Sequence, residues 1–379
     1  MRKSFSIVFS AVLLLIGSAQ GIWAQKVYDL GHYPGGTWAW ASGINNSGVV
    51  VGYGDIASGY TRPIGVPLFG PKAGQWFDLG TLGGEGENMC MAITDTGMIV
   101  GHAVTAGGDV HAFAWTPKSG MVDIGTLGGN SFSLAYGVNK AGTLIVGLSG
   151  SGFFTEDTVP VVWTPKVVWK SGEPTITWNI QKLDTKGFEA DTYWFAVGAN
   201  KFGQIVGSAW DDSVGAQITV LWNPAPDGKG WNIVKLPVPS DYPNSYPDDI
   251  NDRGEIVGGI ASADGGIGLP ALWKKKSPGG NVWNLTVLPT LSGSPQGWNE
   301  AWGINRFGDI VGVSNDADWN WFSARWSTND PTFVRPLAFP AALEPGAWSV
   351  ATKVNDYGIA AGFYGSDTIP ENMFAVQLH

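Results

Sequence analysis

The stretch "GINRFGDIVG", residues 303–312, is one copy of a ten-residue phrase that occurs seven times in the chain. Each copy contains an apolar pair, an Asn, two variable residues, a Gly, an apolar run and a final Gly. The Asn stands at Asn45, Asn139, Asn200, Asn251, Asn305 and Asn355, and Thr94 replaces it in the second copy. The first Gly stands at Gly48, Gly97, Gly142, Gly203, Gly254, Gly308 and Gly358. A phrase that returns about every 50 residues indicates a repeat array.

The phrase itself predicts a β-hairpin. An Asn followed three residues later by Gly suits a tight turn that ends in a left-handed residue, which Gly enters at little cost. The Asn side chain can bond to the turn backbone, so these Asn and Gly residues are expected to be structural. The apolar run after the turn is typical of an interior strand.

Two further strands complete each repeat. The third ends in a large aromatic residue, which is expected to pack between neighbouring repeats rather than to bind a ligand. These residues are Phe69, Trp115, Trp163, Trp222, Trp273 and Trp326. In the third repeat the third strand is "VPVVWTP" (159–165), and "WNIQKL" (178–183) follows as the fourth.

The two ends of the chain complement each other. "VYDLG" (27–31) is a fourth strand without a repeat before it, and the last repeat, which begins near residue 345, has three strands. Pairing the two would close the array and remove an exposed sheet edge. Four strands in each repeat of this length predict an all-β fold, a seven-bladed β-propeller in a single domain over 26–379. The predicted blades 1 to 7 are 38–84, 87–129, 131–187, 192–240, 246–291, 299–340 and 345–379, with 27–31 as the closing strand.

Composition agrees with an all-β class and excludes some partners. The 379 residues include 55 Gly, 23 Pro and 20 Trp, and 44% of the chain is hydrophobic. Such a chain forms short strands and tight turns around a large core rather than a disordered segment. Its net charge is −10, which disfavours nucleic acid as a partner because affinity there depends on cations that meet phosphates.

The N-terminal segment is typical of a secretory signal peptide. Arg2 and Lys3 precede a short apolar run, and small residues follow, so residues 1–21 are expected to be removed by cleavage somewhere between 19 and 25. We expect the mature chain to be secreted, or periplasmic, and to have no transmembrane segment. The single cysteine, Cys90, lies in an apolar context and is expected to be buried in the core.

Several of these phrases resemble a known family. "HAFAW" (111–115), "DLGTLGG" (78–84), "DIGTLGG" (123–129) and "GINRFGDIVG" (303–312) resemble the HAF-repeat family of extracellular bacterial proteins. The literal His-Ala-Phe occurs once, and "TLGG" follows only the first two blades. The resemblance implies export and a repeat architecture, and it brings no catalytic motif.

The candidate ligand-binding residues lie on one predicted face of the propeller. The loops between strands two and three share this loop face with the connections between blades, while the Asn–Gly turns lie on the opposite turn face. Loop-face segments combine aromatic residues with carboxylates, a combination that suits sugars. The candidates are Trp38, Tyr53, Trp210, Asp211, Asp212, Trp298, Asp316, Asp318, Trp319, Trp321 and Tyr364. The alternative is that these loops are simply polar and that their Trp residues pack between blades.

One loop also carries a weak metal pattern. In "NDADWNW" (315–321), Asp316, Asp318 and Asn320 alternate as oxygen ligands do at the start of a calcium loop. Calcium takes six to eight oxygens, and the Gly and the distal Glu of such loops do not follow at their usual spacing. No other cofactor is expected.

Three functions remain open from the sequence. The first is a non-catalytic module that recognises extracellular glycans. The second is a structural or adhesive propeller that binds a cell-surface protein. The third is a polysaccharide-degrading enzyme, a glycoside hydrolase or a lyase, although no nucleophile elbow or zinc motif is present. The oligomeric state is not predicted.

Overall fold

A computed structural model describes residues 11–16, 23–152, 155, 157–170, 173–186, 194–277 and 279–379. Residues 1–10 and 17–22 of the predicted signal peptide lie outside these ranges. No helix in the described ranges has the length and apolar character needed to cross a membrane.

The described residues form strands and one short 3-10 helix, Leu127–Gly129. In chain order the strands are β1 (Ala11–Ile16), β2 (Trp23–Gly31), β3 (Ala39–Ile44), β4 (Val49–Asp55), β5 (Thr61–Pro67), β6 (Phe77–Asp78), β7 (Met89–Ile93), β8 (Ile99–Val104), β9 (Val110–Thr116), β10 (Gly120–Asp123), β11 (Phe132–Val138), β12 (Ile145–Gly150), β13 (Val159–Lys170), β14 (Glu173–Lys182), β15 (Trp194–Ala199), β16 (Ile205–Asp211), β17 (Ala216–Pro224), β18 (Trp231–Lys235), β19 (Asn244–Ile250), β20 (Ile256–Ala261), β21 (Gly268–Lys275), β22 (Trp283–Val287), β23 (Glu300–Ile304), β24 (Asp309–Asn315), β25 (Trp321–Ser327), β26 (Arg335–Pro336), β27 (Trp348–Val354), β28 (Ile359–Gly365) and β29 (Asn372–Gln377).

The strands form antiparallel sheets, most of them four-stranded. In blades 1, 4, 5 and 6 the sheets have the orders β3-β4-β5-β6, β15-β16-β17-β18, β19-β20-β21-β22 and β23-β24-β25-β26. Blades 2 and 3 follow the same antiparallel order, and one parallel pair, Phe132 with Val110, links them into an eight-stranded sheet. The first strand of each sheet contacts the first strand of the next, and β27 also contacts β3.

The last sheet joins both ends of the chain. Strand β2 pairs antiparallel with β29, with Val27 opposite Val376 and Tyr28 opposite Ala375. The sheet order is β1-β2-β29-β28-β27, so β1 is its outer strand. Cleavage of the predicted signal peptide would remove β1 and leave a four-stranded sheet.

The repeated Asn–Gly phrase forms the turn between the first and second strands. In blade 5, Asn251 Oδ1 accepts hydrogen bonds from the backbone N–H groups of Arg253 (2.9 Å) and Glu255 (3.0 Å). Gly254 has φ +73°, a left-handed conformation that favours Gly. The Asn251 Nδ2 then donates to the carbonyl oxygen of Asn305 in the next blade at 3.1 Å. The turn Asn is therefore both a cap within its blade and a link between blades.

The recurring Trp of the third strand packs between blades, as the sequence predicts. Trp163, Trp222, Trp273 and Trp326 are each fully buried. The indole N–H of each donates to a backbone carbonyl that lies 36 to 38 residues earlier in the chain, in the preceding blade or the connection that follows it. Phe69 in blade 1 differs, because 44% of its surface is exposed.

The core also contains the single cysteine. Cys90 is fully buried and its Sγ donates to the carbonyl of Gly52. Burial raises the pKa of its thiol to about 12, so the thiol stays protonated at neutral pH.

Two strands of the third blade, β13 and β14, are longer than the sequence predicts. The predicted strands at 159–165 and 178–183 are parts of a longer ribbon in which β13 pairs with β14 from Val161–Lys182 out to Lys170–Glu173. The segments 166–170 and 173–177 extend beyond the blade because the two strands continue to satisfy each other's backbone groups.

Every first strand contains one β-bulge, and it falls at the same place in each repeat. The register shifts leave one extra residue, three positions before the turn Asn or Thr. These bulge residues are Ser42, Met91, Tyr136, Val197, Asp248, Trp302 and Thr352. Bulges re-aim side chains at the place where pairing is interrupted.

Candidate functional site

The bulge residues line a central cavity of about 370 Å³. The first strands of all seven repeats contribute to its wall, and all seven bulge residues belong to it. A cavity of this size lies within the range of small-molecule sites, which is about 300–1,000 Å³. The seven side chains differ in size and polarity, so the wall is chemically uneven.

Two acidic side chains form a buried pair, of which one lines this wall. The bulge residue Asp248 belongs to blade 5, and Glu300 begins the first strand of blade 6. Their carboxyl groups interact with each other, and this interaction raises the pKa of Asp248 and lowers that of Glu300. Glu300 is 6% exposed, and Asp248 Oδ2 is also buried.

Burial and the charge of Glu300 raise the pKa of Asp248 well above its usual range, and the charge of Lys353 only partly opposes this. Burial also raises the pKa of Glu300, while hydrogen bonds from Trp302, Asp248 and Trp298 limit the rise. Two adjacent buried carboxyl groups repel each other when both are ionised, which favours the protonated form of Asp248. The pair therefore places two hydrogen-bonding carboxyl groups side by side.

Two indole groups hold the Glu300 carboxylate. The Nε1 atoms of Trp298 and Trp302 both donate to Glu300 Oε2, each at 2.9 Å. Trp298 lies in the connection before β23 and is 38% exposed, whereas Trp302 lines the cavity. First strands run from the connection between blades towards the Asn–Gly turn, so Glu300 lies at the loop-face end of its strand, and Asp248 is the member of the pair that lines the cavity.

An ion pair crosses the cavity wall next to the acid pair. Lys353 Nζ lies 3.2 Å from Asp249 Oδ2, and it also donates to the carbonyl oxygens of Trp302 (2.8 Å) and Asp248 (3.1 Å). In the other five blades this position, one after the bulge, is Gly or Ala. Lys353 thus connects blades 5, 6 and 7, and its ammonium group has three acceptors.

An aromatic wall continues from the acid pair to blade 1. Trp40 stacks on Phe363 with ring centroids 4.9 Å apart and an interplanar angle of 13°. Trp302 and Trp348 pack against the same small cluster that contains Phe363. Tyr53 lies beside Trp40, 5.9 Å between ring centroids, and burial raises its pKa to about 12. This wall provides flat apolar faces next to hydrogen-bonding groups.

The turn-face end of the cavity has different chemistry. Asp356 is held by Lys140 at 2.5 Å and by Arg306 at 3.7 Å, and its carboxylate also accepts from Asn46. Burial opposes ionisation of Asp356, but these hydrogen bonds and cations lower its pKa overall. The charges at this end are paired with one another and connect blades 1, 3, 6 and 7.

The structure brings only some of the predicted site residues to the cavity. Tyr53 belongs to its wall, Trp298 contacts Glu300, and Trp38 packs edge-on against Trp40 with centroids 5.8 Å apart. Trp210 and Asp212 lie away from it on the blade 4 loop, where the Trp210 Nε1 donates to Asp212 Oδ1 at 2.9 Å.

Two predicted site residues have structural partners. Asp211 accepts from Lys235 Nζ at 2.7 Å and from Ser213, and these bonds lower its pKa although burial opposes the effect. Tyr364 is 3% exposed and its hydroxyl donates to Asp29 Oδ1 at 3.0 Å. Its expected place on the loop surface is therefore wrong, because every residue of β28 is buried.

The suggested calcium loop is stabilised from within. Asp316 Oδ1 accepts hydrogen bonds from the backbone N–H groups of Asp318 and Asn320, both at 2.9 Å. Asn320 Nδ2 adds a further bond to Asp316 Oδ2 at 3.2 Å. Across the described ranges, no three His, Cys, Asp or Glu side chains are grouped as metal ligands. Trp319 and Trp321 of this loop are 59% and 46% exposed.

Comparison with solved structures supports the fold. The β-propeller domain of the Trilobed protease from Pyrococcus furiosus, described as having an open velcro topology, matches with a TM-score of 0.50 and 10% identity over 91% of this chain and 95% of that domain. The chain has a β-propeller fold.

Two other solved structures give lower scores. Trypanosoma rangeli sialidase matches with a TM-score of 0.44 and 14% identity over 97% of this chain and 59% of that protein. XC5397, a gluconolactonase from Xanthomonas campestris, matches with a TM-score of 0.44 and 8% identity over 94% of this chain and 90% of that one. No protein-family model matches this chain, and no curated protein matches it in sequence.

Proposed function

We propose that this chain is an exported, seven-bladed β-propeller of the HAF-repeat type that binds a neutral glycan at the loop-face end of its central cavity. The observation that carries the proposal is the Asp248–Glu300 pair, held by two indole N–H groups beside an aromatic wall. The bound glycan would stack on that wall and exchange hydrogen bonds with the acid pair.

Three features support a ring of seven blades closed by the chain ends. The first strands contact one another in sequence and β27 contacts β3, so seven first strands surround one cavity. The Asn355 Nδ2 also donates to the carbonyl oxygen of Asn45 at 3.0 Å, the bond that joins other neighbouring blades. Strand β2 supplies the fourth strand of the last blade.

The chemistry of the site favours a neutral polyhydroxylated ligand. Carboxylate oxygens accept hydroxyl protons, so the acid pair can accept hydrogen bonds from a polyhydroxylated ligand. Two acidic groups at this position also disfavour an anionic ligand. Flat faces such as that of Trp302 suit the apolar side of a sugar ring.

The geometry of the acid pair favours binding over glycoside hydrolysis. The two carboxyl groups of glycosidases stand about 5–9.5 Å apart so that a sugar and a nucleophile fit between them. Asp248 and Glu300 are hydrogen-bonded to each other, which is closer than that arrangement allows. A cell-surface protein partner and a degrading enzyme are outcomes that the experiment can detect.

The first test is a glycan array with the chain lacking residues 1–21, run with calcium and again with a chelator. We expect binding to a neutral glycan class in both buffers. Loss of binding with the chelator would instead indicate a calcium site at Asp316, Asp318 and Asn320. Release of reducing ends from a bound polysaccharide would show an enzyme.

Two conservative variants locate the site on the fold. Trp302→Phe keeps an aromatic ring but removes the N–H that holds Glu300, and we expect the affinity for the array ligand to fall at least about tenfold. Trp210→Phe, on the distant blade 4 loop, is the matched control and should leave affinity unchanged. The opposite pattern would place the site on the blade 4 loop, and a blank array in both buffers would contradict glycan binding.

A further inference from the structure

We propose that the exposed indole of Trp319 is a second sugar subsite, which makes the ligand a chain of several sugar units rather than a single one. This inference rests on the proposed glycan binding at the cavity. It is carried by a comparison among the loop-face turns of the protein itself.

The turn that contains Trp319 has the same backbone as two other turns. In blade 6 the N–H of Asp316 donates to the carbonyl of Asn320, and the N–H of Trp319 donates to the carbonyl of Asp316. The same two bonds form in blade 1 over residues 56–60 and in blade 2 over residues 105–109. The three loops thus form the same type of turn with different sequences.

The left-handed position of this turn is occupied by Gly in the other two blades. Gly59 has φ +82° and Gly108 has φ +95°, whereas Trp319 has φ +68°. Among the described residues, Trp319 is the one non-glycine residue with positive φ. A bulky side chain raises the free energy of the folded state there, because its Cβ crowds the backbone. Blade 6 therefore retains an indole where the backbone favours Gly.

The retained indole is displayed to solvent. Trp319 is 59% exposed and Trp321, two residues further on, is 46% exposed. Since a strained residue is retained only when its surroundings hold it, strain of this kind is found preferentially at functional positions. An exposed indole adds little to core packing, so its contribution must come from contacts outside the fold.

The position of Trp319 is continuous with the cavity site. A Cβ at Gly297 would lie 3.3 Å from Trp319 Cε3, so the indole passes directly over this glycine. The next residue is Trp298, whose Nε1 donates to Glu300 of the acid pair. The Ser292 N–H also donates to the carbonyl of Asn315, which joins the two loops. An extended ligand at Glu300 would leave the cavity across Trp298 and reach Trp319.

Polar groups beside the indole fit hydroxyl groups. Asp318 and Asn320 flank Trp319, and Asn315 lies beneath it with its Nδ2 bound to the Trp319 carbonyl at 3.0 Å. The Asn315 Oδ1 is buried without a hydrogen-bond partner within the described chain. Aromatic faces edged by amide and carboxylate oxygens suit sugar rings better than an apolar protein surface.

The test compares ligands of one and six units against paired variants. Calorimetric titrations use cello-, xylo-, manno- and chito-oligosaccharides with the chain lacking residues 1–21. We expect Trp319→Gly to weaken binding of the six-unit ligand roughly tenfold and to leave the single sugar unaffected. Trp169→Ala, which removes a 72%-exposed Trp from the blade 3 ribbon, is the control and should change neither affinity.

A second readout separates strain from folding defects. Trp319→Gly should raise the melting temperature by about 2 °C because it relieves the left-handed strain. Trp319→Ala removes the indole but keeps a Cβ at positive φ, so it should lose affinity with less gain in stability. Equal affinity of wild type and Trp319→Gly for the six-unit ligand would overturn the subsite while the cavity site stands. No binding at either length would overturn both proposals.

Discussion

The turn-face Asn residues and the cavity-lining bulge residues occur once in each blade, yet they behave in opposite ways. The turn Asn is nearly invariant within the chain and makes the same bonds in most blades. Asn200, Asn251, Asn305 and Asn355 each donate to the carbonyl of the corresponding turn residue in the next blade at 3.0–3.1 Å. The bulge residue, only three positions earlier, is different in all seven repeats.

The difference shows which positions the fold constrains. A turn Asn bonds to its own backbone and to that of a neighbour, so replacing it with an apolar side chain leaves buried donors and acceptors unpaired. A bulge side chain faces the cavity and has no such partner imposed by the repeat. The chain can therefore place an Asp or a Trp at the bulge without changing the blade, and this freedom is what a binding site requires.

The largest expected effect on stability comes from removing a turn Asn. Asn251→Ala removes two bonds to backbone N–H groups, one to the Glu255 carboxylate and one to Asn305. At about 1 kcal/mol for each bond, we expect the free energy of unfolding to fall by about 4 kcal/mol. Urea denaturation followed by fluorescence measures the change.

Asn139→Ala is the matched control for this prediction. The Asn139 side chain serves its own turn, because its Nδ2 donates to Thr143 Oγ1 and its Oδ1 accepts from the N–H groups of Thr143 and Leu144. Its removal should lower the free energy of unfolding by about 3 kcal/mol, since it loses three bonds rather than four. Equal losses for the two variants would show that the link between blades contributes nothing.

The next effect concerns the cavity and depends on pH. The folded pKa of Asp248 is raised, so between its unfolded value near 3.8 and the folded value only the folded state holds the proton. Stability contributed by this group is therefore lost as pH rises through that window. Asp248→Asn removes the titration and keeps an N–H donor for Glu300.

We expect the stability of Asp248→Asn relative to wild type to increase as pH rises above about 4, with a slope of at most about 1.4 kcal/mol for each pH unit. Denaturation curves of both proteins at several pH values give this difference. Parallel curves across the range would mean that Asp248 is ionised in the folded protein and that the pair shares no proton.

The sequence predicts the turn face well because its signals are local. The spacing of Asn305 and Gly308 specifies a turn, and the periodic Trp273 specifies packing between blades. Each such residue has its bonding or packing partners within a few residues or at one fixed spacing along the chain. The extra length of the β13–β14 ribbon has no comparable signal in the sequence.

The cavity site is harder to predict, although the aligned repeats contain a trace of it. Two positions before the bulge the residues are Trp40, Met89, Leu134, Phe195, Tyr246, Glu300 and Val350, and Glu300 is the one charged residue among them. That exception could have been found from the sequence. Its pairing with Asp248 could not, because contact between residues 52 positions apart depends on how neighbouring sheets are inclined.

The smallest expected effect tests whether the Lys353–Asp249 ion pair depends on the glycine that packs beside it, Gly303. In blade 6 the position after the bulge is Gly303, and a Cβ there would lie 2.8 Å from the Thr352 carbonyl oxygen and 2.9 Å from Lys353 Cα. These are backbone atoms, which cannot move aside as a flexible side chain would. Gly303→Ala should therefore displace β27 and weaken the contact of Lys353 with Asp249.

We expect Gly303→Ala to lower the free energy of unfolding by about 2 kcal/mol, a usual cost of overpacking. Gly198→Ala is the control at the same position of blade 4, where a Cβ would meet Val206 Cγ1 at 3.4 Å, an ordinary contact. That variant should be neutral or slightly stabilising, because Ala restricts the unfolded chain more than Gly does. If both variants lower the free energy of unfolding equally, blades 4 and 6 alike need a small residue at this position. Gly303 would then have no special role beside the Lys353–Asp249 ion pair.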